Sequence, residues 1–431
     1  MLVDPSFVKN TVELMIESRI FRKNNKLVFQ GSFGLQQLHR PLAGLHQAIQ
    51  EAGYVDVILD FSDCDAAYPA PMLALCAQVA KLHYEGVDFS LVLPRGDKLQ
   101  RLFRNTNWAH FLDPRQYDPS TFRGYTQLPA TLYSSAEDQY KAVNRIVNAI
   151  LGAIPDIARK DFAALEWSIN ELTDNVLVHS QSPVGGFVQV STFQRNKKRV
   201  MFIVADAGIG IPNSLRQGHP ELTSDVDALD KAIREGVTRD KSLGQGNGLF
   251  GTYQICSHSK SFFQVESGYG KLSSYEPVGL KIGTEVVPYE GTLVVAEIDF
   301  SVPDLLQEAL KFNGRMHEPT DYVELHYEDA EAHRVIFKVA DEANSFGSRV
   351  AGRPLRNRLS NLARMCHPQQ VIIDFSNVAL VSSSFADELI GKLFVEFGPI
   401  EFMTRFRLVN VSATVQQLID RAISQRVANG P

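Results

Sequence analysis

Two segments near opposite ends of the chain align with each other without a gap. They are VILDFSDCDAAYPAPMLALC at residues 57–76 and VIIDFSNVALVSSSFADELI at residues 371–390, and both contain Asp-Phe-Ser, at 60–62 and 374–376. Each starts as a short β-branched run and passes through a polar turn into a helical pattern, which predicts a buried strand that leads into a helix. A predicted amphipathic helix precedes each segment, and a further strand and helix follow it. The chain is therefore predicted to be α/β, with one βα domain repeated at its two ends.

The region between the two copies has a different pattern. Two helical stretches come first, strands alternate after them, and a long polar excursion runs from Ile211 to Ser242. This order predicts an α/β sandwich in which helices cover a mostly antiparallel, mixed sheet. The prolines at 114, 119 and 129 are typical of a linker. The predicted division is a first domain at 1–115, a linker at 116–134, a central domain at 135–300, a connecting segment at 301–321 and a last domain at 322–431.

Composition excludes several classes of protein. The formal net charge of −6 gives no reason to expect nucleic acid or an anionic membrane as a partner. The first residues lack the pattern of a signal peptide, and no window approaches the ~18 uninterrupted apolar residues of a membrane span. The four cysteines are scattered without a C-x-x-C pair, which argues against a zinc site or a disulfide framework. We therefore expect a soluble, cytoplasmic protein.

The helical stretch DFAALEWSINELTDNVLVHS, residues 161–180, carries Glu171 and Asn175 four positions apart. This spacing puts both side chains on one helix face. Asn175 could hold Mg²⁺ as a hard oxygen ligand, and Glu171 could orient or deprotonate an attacking hydroxyl or water. By itself the pair is more typical of a solvated helix face.

The stretch VADAGIGIPNS, residues 204–214, places Asp206 at a strand end, followed by Gly208 and Gly210. It is not a dinucleotide fingerprint, because the position three after Gly210 is Asn213. A carboxylate at this point could accept a hydrogen bond from an exocyclic amino group such as adenine N6, and the glycines would let the backbone pass close to a flat base. An ordinary surface turn is the alternative.

A third motif, LGQGNGLFGTY at residues 243–253, alternates Gly244, Gly246 and Gly248 immediately before a helical run. Such a helix start exposes N–H groups that suit phosphate oxygens, although a flexible loop would have the same composition. The polar excursion before it contains cations that could reach a terminal phosphate, namely Lys231, Arg234, Arg239 and Lys241.

The order of these motifs, with Gly291-Thr292 predicted to open the final strand, resembles the GHKL family of ATP-binding domains. The resemblance covers about 165 residues. It implies that Glu171 is the catalytic base, that Asn175 is the Mg²⁺ ligand and that Asp206 binds adenine. It further implies that Gly208 and Gly210 flank the base, that Gly244, Gly246 and Gly248 form the phosphate loop, and that Thr292 lies near the adenine. ATP and Mg²⁺ are the implied cofactors.

The two terminal copies resemble the STAS domain of anti-sigma-factor antagonists. In that family a serine at the start of the helix after the D-[LF]-S strand accepts phosphate from a GHKL serine kinase. The resemblance implies that Ser383 is the acceptor in the last domain, whereas Pro69 occupies the matching position of the first domain, which lacks an acceptor. A serine here is also a typical helix N-cap.

Three functions follow from these expectations. The first is transfer of the ATP γ-phosphate to a serine, either Ser383 or a residue of a partner protein, in bacterial signalling. The second is an ATP-hydrolysing conformational switch whose flanking domains bind regulatory proteins. The third is a nucleotide-dependent interaction module in which turnover is incidental. A homodimer is left open, because no heptad or interface stripe decides the oligomeric state.

Overall fold

The computed structural model describes residues 18–121, 128–193, 198–239, 246–302, 309–312, 315–316, 322–329, 333–343 and 345–429. In this part of the chain, helices accompany two four-stranded sheets, one five-stranded sheet and a two-stranded ribbon. The predicted mixed α/β class is confirmed. None of the helices formed by these residues combines the length and the apolarity that crossing a bilayer requires.

The first unit is a four-stranded sheet with helices. Its elements are β1 (Arg19–Lys23), β2 (Lys26–Phe33), α1 (His39–His46), β3 (Asp56–Ala67), α2 (Pro69–Tyr84), β4 (Asp88–Val92), α3 (Asp97–Asn105) and α4 (Trp108–Leu112). A π-helical turn, Gln47–Glu51, extends α1. The strand order is β1–β2–β3–β4, in which the first pair is antiparallel and the next two pairs are parallel.

The central unit is built on a five-stranded sheet. Its elements are β5 (Thr131–Tyr133), α5 (Ala136–Ala153), α6 (Arg159–Asn175), β6 (Gly186–Thr192), β7 (Arg199–Asp206), α7 (Gly210–Arg216), α8 (Asp225–Ala232), α9 (Gly248–His258), β8 (Phe263–Tyr275) and β9 (Gly279–Asp299). The strand order is β5–β6–β7–β9–β8, and every neighbouring pair is antiparallel. A π-helical turn, Val176–Ser180, continues α6 beyond Asn175.

The last unit again contains a four-stranded sheet, preceded by a ribbon of β10 (Lys311–Phe312) and β11 (Arg315–Met316). Its further elements are α10 (Tyr322–Tyr327), β12 (Glu328–Asp329), β13 (Arg334–Lys338), α11 (Val339–Glu342), α12 (Arg349–Met365), β14 (Val371–Asp374), α13 (Ser383–Ala386), α14 (Lys392–Arg405), β15 (Phe406–Val409) and α15 (Ala413–Asn429). A π-helical turn, Asp387–Gly391, joins α13 to α14.

The first and last sheets share one plan. The order β12–β13–β14–β15 repeats the antiparallel, parallel, parallel sequence of the first sheet. The repeated Asp-Phe-Ser has the same local structure in both copies, because Asp60 and Asp374 each accept the backbone N–H two residues later, at 3.0 and 2.8 Å. Phe61 and Phe375, the middle residues of the two motifs, are both buried. In the last copy the motif ends β14 at Asp374, whereas in the first copy it lies inside β3, which continues to Ala67.

Both faces of the central sheet are buried. Alternate strand residues point to opposite faces, and Val204, Val294 and Ala296 belong to a core shared with the helices and the last unit. Ile203 and Leu293, one position away, belong to the core of the first unit. Helix α2 covers this second face and contacts β6, β7 and β9. Its buried run, residues 70–79, makes the first unit a continuation of the central core.

The last unit packs on the opposite side of the molecule, through α12 against α5. Asn361 lies at this contact and is 1% exposed. Its Nδ2 donates to the carbonyls of Leu151 and Ile154 at 2.9 and 2.8 Å, and its Oδ1 accepts the N–H of Asp156 at 2.9 Å. One side chain thus satisfies backbone groups that the end of α5 would otherwise leave unpaired.

Three details differ from the sequence expectations. Thr131–Tyr133, assigned to the linker, forms the edge strand β5 of the central sheet. Gly291-Thr292 does not open the final strand, because β9 already begins at Gly279 and pairs with β8 in a long hairpin. The polar excursion contains two helices, α7 and α8, whose apolar residues include Leu215 and Leu229.

We expect Asn361→Leu to lower the free energy of unfolding by about 2–4 kcal/mol, because a side chain of similar size would leave three backbone groups unsatisfied. Chemical denaturation of the whole chain measures this change. Gln416→Ala removes an exposed 2.7 Å hydrogen bond to Asp420 and should change stability by less than about 0.5 kcal/mol. Equal effects of the two substitutions would contradict the role given to Asn361.

Candidate functional site

A cavity of about 390 Å³ opens in the central unit between the sheet, α6 and the segment from α7 to α9. This volume lies in the range of small-molecule sites, ~300–1,000 Å³. Most of the residues predicted for a nucleotide site line it: Glu171, Asn175, Asp206, Gly210, Gly246, Gly248 and Thr292. They come from α6, β7, β9 and the two glycine motifs, which are far apart in sequence. The fold therefore brings the separate motifs to one place.

Glu171 and Asn175 lie on the cavity side of α6, as their spacing predicts. Burial raises the pKa of Glu171, and the negative charge of Asp174 raises it further. A carboxylate with a raised pKa is a stronger base than one at the surface. Asn175 offers a neutral oxygen one turn further along the same wall.

Asp206 ends β7 at the floor of the cavity and is 2% exposed. Its Oδ1 accepts the N–H of Gly208 at 2.8 Å. Burial raises the pKa of Asp206 to about 7, and hydrogen bonds from the backbone of Gly208 and Thr292 oppose that rise. The carboxyl group is therefore a strong acceptor that lacks the full solvation of a surface carboxylate.

The glycines around Asp206 are required by the chain itself. A Cβ on Gly208 would collide with the carbonyl of Ser180. Gly210 has φ +78°, and a Cβ there would lie 2.6 Å from Ser267 Oγ and 2.8 Å from the Gly291 carbonyl oxygen. Space for a flat ligand is thus not needed to explain these two glycines, although Gly210 does line the cavity.

Gly248 has a similar packing role, which the phosphate-loop expectation does not include. It is the first residue of α9, and a Cβ there would lie 2.5 Å from Glu171 Oε2 and 3.0 Å from Glu171 Cβ. Gly251, one turn later, packs against Trp167 of α6. The two glycines let α9 approach α6 closely, so Gly248 holds the start of α9 against the Glu171 side chain.

Of the two remaining glycines predicted for the phosphate loop, one lies in the described part of the chain and the other does not. Gly246 has φ +72°, and a Cβ there would lie 2.5 Å from the backbone of Val237. Gly244 and Lys241 lie outside the described residues. Asn247, which the sequence did not single out, accepts the N–H of Gly236 at 3.0 Å and ties the loop to the start of α9.

Among the four cations proposed for a terminal phosphate, Arg239 is the one that the described structure puts at the cavity. It donates to the carbonyl of Val178 at 2.9 Å. Lys231 instead pairs with Glu221 at 2.7 Å, and Arg234 pairs with Asp230. His179 also lines the cavity, where burial and the positive charge of Arg239 lower its pKa.

Sequence reasoning missed Ser267, a fully buried residue of β8. Its Oγ donates to the Gly291 carbonyl at 2.6 Å and accepts the N–H of Ile211 at 2.9 Å. The hydroxyl therefore joins β8, β9 and the start of α7 at the cavity floor. A serine inside a strand gives no local signal of such a role.

Ser383 lies outside this cavity, at the exposed start of α13. The capping role belongs to its neighbour, because Ser382 Oγ accepts the N–H of Phe385 at 3.0 Å. Ser382 Oγ also lies 3.0 Å from Ser384 Oγ. The serine predicted as acceptor is thus exposed to solvent, and the serine before it caps the helix.

We expect Gly248→Ala to destabilise the protein by roughly 1–3 kcal/mol, although alanine is normally the better helix residue. The added methyl group would have to displace Glu171 from its position against α9. Gly283→Ala is the matched control, because nothing lies within 4 Å of a Cβ there. Thermal and chemical denaturation measure both, and a neutral Gly248→Ala would contradict the packing role.

The buried carboxyl of Asp206 should make stability depend on pH. Its folded-state pKa is raised to about 7, so between pH ~4 and ~7 the folded chain retains a proton that the unfolded chain releases, and stability falls as pH rises. Asp206→Asn should remove this contribution and leave that of Glu297, whose pKa burial also raises to about 7. Relative to wild type, the variant should gain on the order of 3 kcal/mol across this interval.

Denaturation at a series of pH values measures the gain. Asp227→Asn, at an exposed position of α8, is the control and should leave the pH dependence unchanged. The same slope in Asp206→Asn and wild type would rule out the assigned origin.

Comparison with known proteins gives one positive finding. Residues 351–416 match the family described as STAS-like domain of unknown function (DUF4325). This confirms a STAS-like domain in the C-terminal part of the chain, within the predicted range 322–431, and the matched residues include Ser383. The match does not extend to the central unit, whose resemblance to GHKL domains stays a prediction. No curated protein and no solved structure matches the chain.

Proposed function

We propose that the central cavity binds ATP with Mg²⁺, as a GHKL domain does, and that the chain transfers the γ-phosphate to a serine hydroxyl. The acceptor is Ser383 of its own STAS-like domain or a serine of a partner protein in bacterial signalling. The observation that carries the proposal is the convergence of three separate sequence motifs and Thr292 on one cavity. Unrelated surface turns and a solvated helix face have no reason to meet in this way.

The donor set fits the proposed ligand. Asp206 provides the buried acceptor that an adenine amino group requires. Arg239 provides a positive charge at the same cavity, and Asn175 a hard oxygen ligand. In the described chain no three His, Cys, Asp or Glu side chains form a metal site, so phosphate oxygens and water complete the Mg²⁺ octahedron in this proposal.

Glu171 acts as the base in the proposed reaction. It accepts the proton of the serine hydroxyl while the serine oxygen forms a bond to the γ-phosphorus and the bond to the ADP oxygen breaks. Its raised pKa supports this role, because a carboxylate with a higher pKa is the stronger base. Bound Mg²⁺ would neutralise the phosphate charge during this transfer. Gly248 supports the base by keeping α9 against its side chain.

The second candidate is an ATP-hydrolysing switch, in which water replaces serine at the same base. Direct packing of both flanking units on the central unit favours it, because a change at the cavity can reach them through α2 and α5. In this form of the proposal the STAS-like domains bind regulatory proteins. The position of Ser383 outside the cavity is compatible with it, since no acceptor in the same chain is then required.

The test is incubation of the full chain with Mg-ATP, followed by measurement of intact mass and of free phosphate in the same sample. Transfer to Ser383 predicts the mass of one phosphate group on wild type, none on Ser383→Ala and none on Glu171→Gln. Ser384→Ala and Glu137→Gln are the controls, since Glu137 is an exposed residue of α5, and both should retain labelling. Free phosphate without added mass, lost in Glu171→Gln, would instead establish the switch.

Calorimetric titration with a non-hydrolysable ATP analogue separates binding from turnover. Asp206→Asn should weaken binding by at least about tenfold, because the adenine amino group would lose a charged acceptor. Absence of measurable binding to wild type would overturn both forms of the proposal.

A further inference from the structure

The strand β9 bulges at the floor of the cavity. Tyr289 pairs with Gly268 and Thr292 pairs with Ser267, so Glu290 and Gly291 are two extra residues without partners on β8. Gly291 has φ +98°, and a Cβ there would collide with the backbone of Asp206. Bulges of this kind redirect side chains and are common beside functional sites. Here the bulge immediately precedes Thr292, which faces the cavity.

The first unit makes hydrogen bonds to this bulge. Gln78 of α2 is 6% exposed, and its Nε2 donates to the backbone carbonyl of Glu290 at 2.6 Å. Lys81, one turn later, pairs with the Glu290 carboxylate at 2.5 Å. The first contact fixes the backbone of the bulge. The second involves a side chain that is 61% exposed and leaves the backbone free to move.

The bulge is held from the cavity side as well. Ser267 Oγ donates to the Gly291 carbonyl at 2.6 Å. The next residue, Thr292, is the direct ladder partner of Asp206, and its backbone N–H lowers the pKa of the Asp206 carboxyl group. A short chain of contacts therefore leads from Gln78 through Glu290, Gly291 and Thr292 to Asp206. This chain of contacts connects the first unit to the central unit and consists of protein groups alone.

We propose that Gln78 is a positioning residue for the central cavity: by holding the Glu290 carbonyl it sets the place of Thr292 and, through it, of the Asp206 carboxyl group. The first unit thus takes part in the site although none of its side chains lines the cavity among the described residues. This goes beyond a packing role for α2, because a packing role needs no donor at residue 78. Its nucleotide consequences rest on the proposed function, whereas its effect on Asp206 does not.

Other charged and titratable groups surround Asp206, and one of them, the Tyr289 phenol, also interacts with the Gln78 side chain. They are the buried phenols of Tyr133 and Tyr289, and the cavity residues Glu171, Asp174, His179 and Arg239. Burial raises the pKa of the Tyr289 phenol, which therefore stays neutral across the pH range of the test, so a change in the titration of Asp206 reports on Thr292 and the Gln78 contact.

The variant is Gln78→Met, which keeps the length of the side chain and removes the donor; Gln78→Leu replaces it if Gln78→Met does not fold. Loss of the Gln78 contact should loosen the Thr292 hydrogen bond, which favours the ionised carboxyl group. The pH dependence of stability assigned to Asp206 should then extend upward by roughly half a pH unit or more. Lys81→Met is the matched control from the same helix and should produce no such extension.

The same measurement in an Asp206→Asn background makes the test specific. Gln78→Met should there leave the pH dependence unchanged, because the titrating group is gone. An extension that persists without Asp206, or a folded Gln78→Met whose pH dependence equals that of wild type, overturns the proposal. These readouts need no ligand, so they remain decisive even if wild type binds no nucleotide.

Titration with the ATP analogue gives the second readout. Gln78→Met should weaken binding about 3- to 10-fold at pH 7, and the difference should narrow at pH 9, where the Asp206 carboxyl group is ionised in both proteins. Lys81→Met should stay within about twofold of wild type. Loss of affinity that is equal in the two variants, or independent of pH, would contradict positioning through Asp206.

Discussion

The central antiparallel sheet buries both of its faces, and the arrangement of the other units follows from this. Antiparallel sheets commonly leave one face in water. In β7 and β9, alternate side chains are apolar on both sides, so Val204 and Val294 face the helices while Ile203, Leu293 and Val295 face α2. Each Å² of apolar surface removed from water contributes ~25 cal/mol to the free energy of folding, so burial of this second face stabilises the fold strongly. The first unit is therefore a structural requirement of the central one.

The candidate site lies where this packing is interrupted by polar groups. Asp206 is buried between Ala205 and Ala207, and Ser267 is buried beside the equally buried Glu266. Each is held by backbone donors or acceptors, so little of their hydrogen-bonding capacity is lost. Glycines at 208, 210, 248 and 291 then allow chain segments to approach closer than any side chain would permit. The cavity is thus shaped by backbone contacts, and side chains supply its chemistry.

The sequence was sufficient for features that depend on local pattern. The four-residue spacing of Glu171 and Asn175 gave their common helix face, and Asp206 was expected at a strand end, where it lies. Features that depend on distant segments were not accessible. The clash that makes Gly248 necessary involves Glu171, 77 positions earlier, and Ser267 acquires its role only because β9 bulges opposite it. The apolar sequence of α2 indicates a buried helix, but nothing within α2 indicates that the central sheet covers it.

The two βα units have the same sheet topology, but they pack against the central unit through different helices. The first uses α2, which begins at Pro69, and the last uses α12, which leaves the start of α13 in solvent. A residue such as Leu293 consequently belongs to the interior of two units at once. A substitution at Leu293 changes both the packing of the central sheet and the surface that the first unit contacts. The sequences of the first unit and of the central sheet must therefore change together in evolution. The last unit shares the core on the other face of the sheet, which includes Val204 and Val294. Residue 115 thus marks the place where the chain passes from one unit to the next, but the two units do not evolve independently.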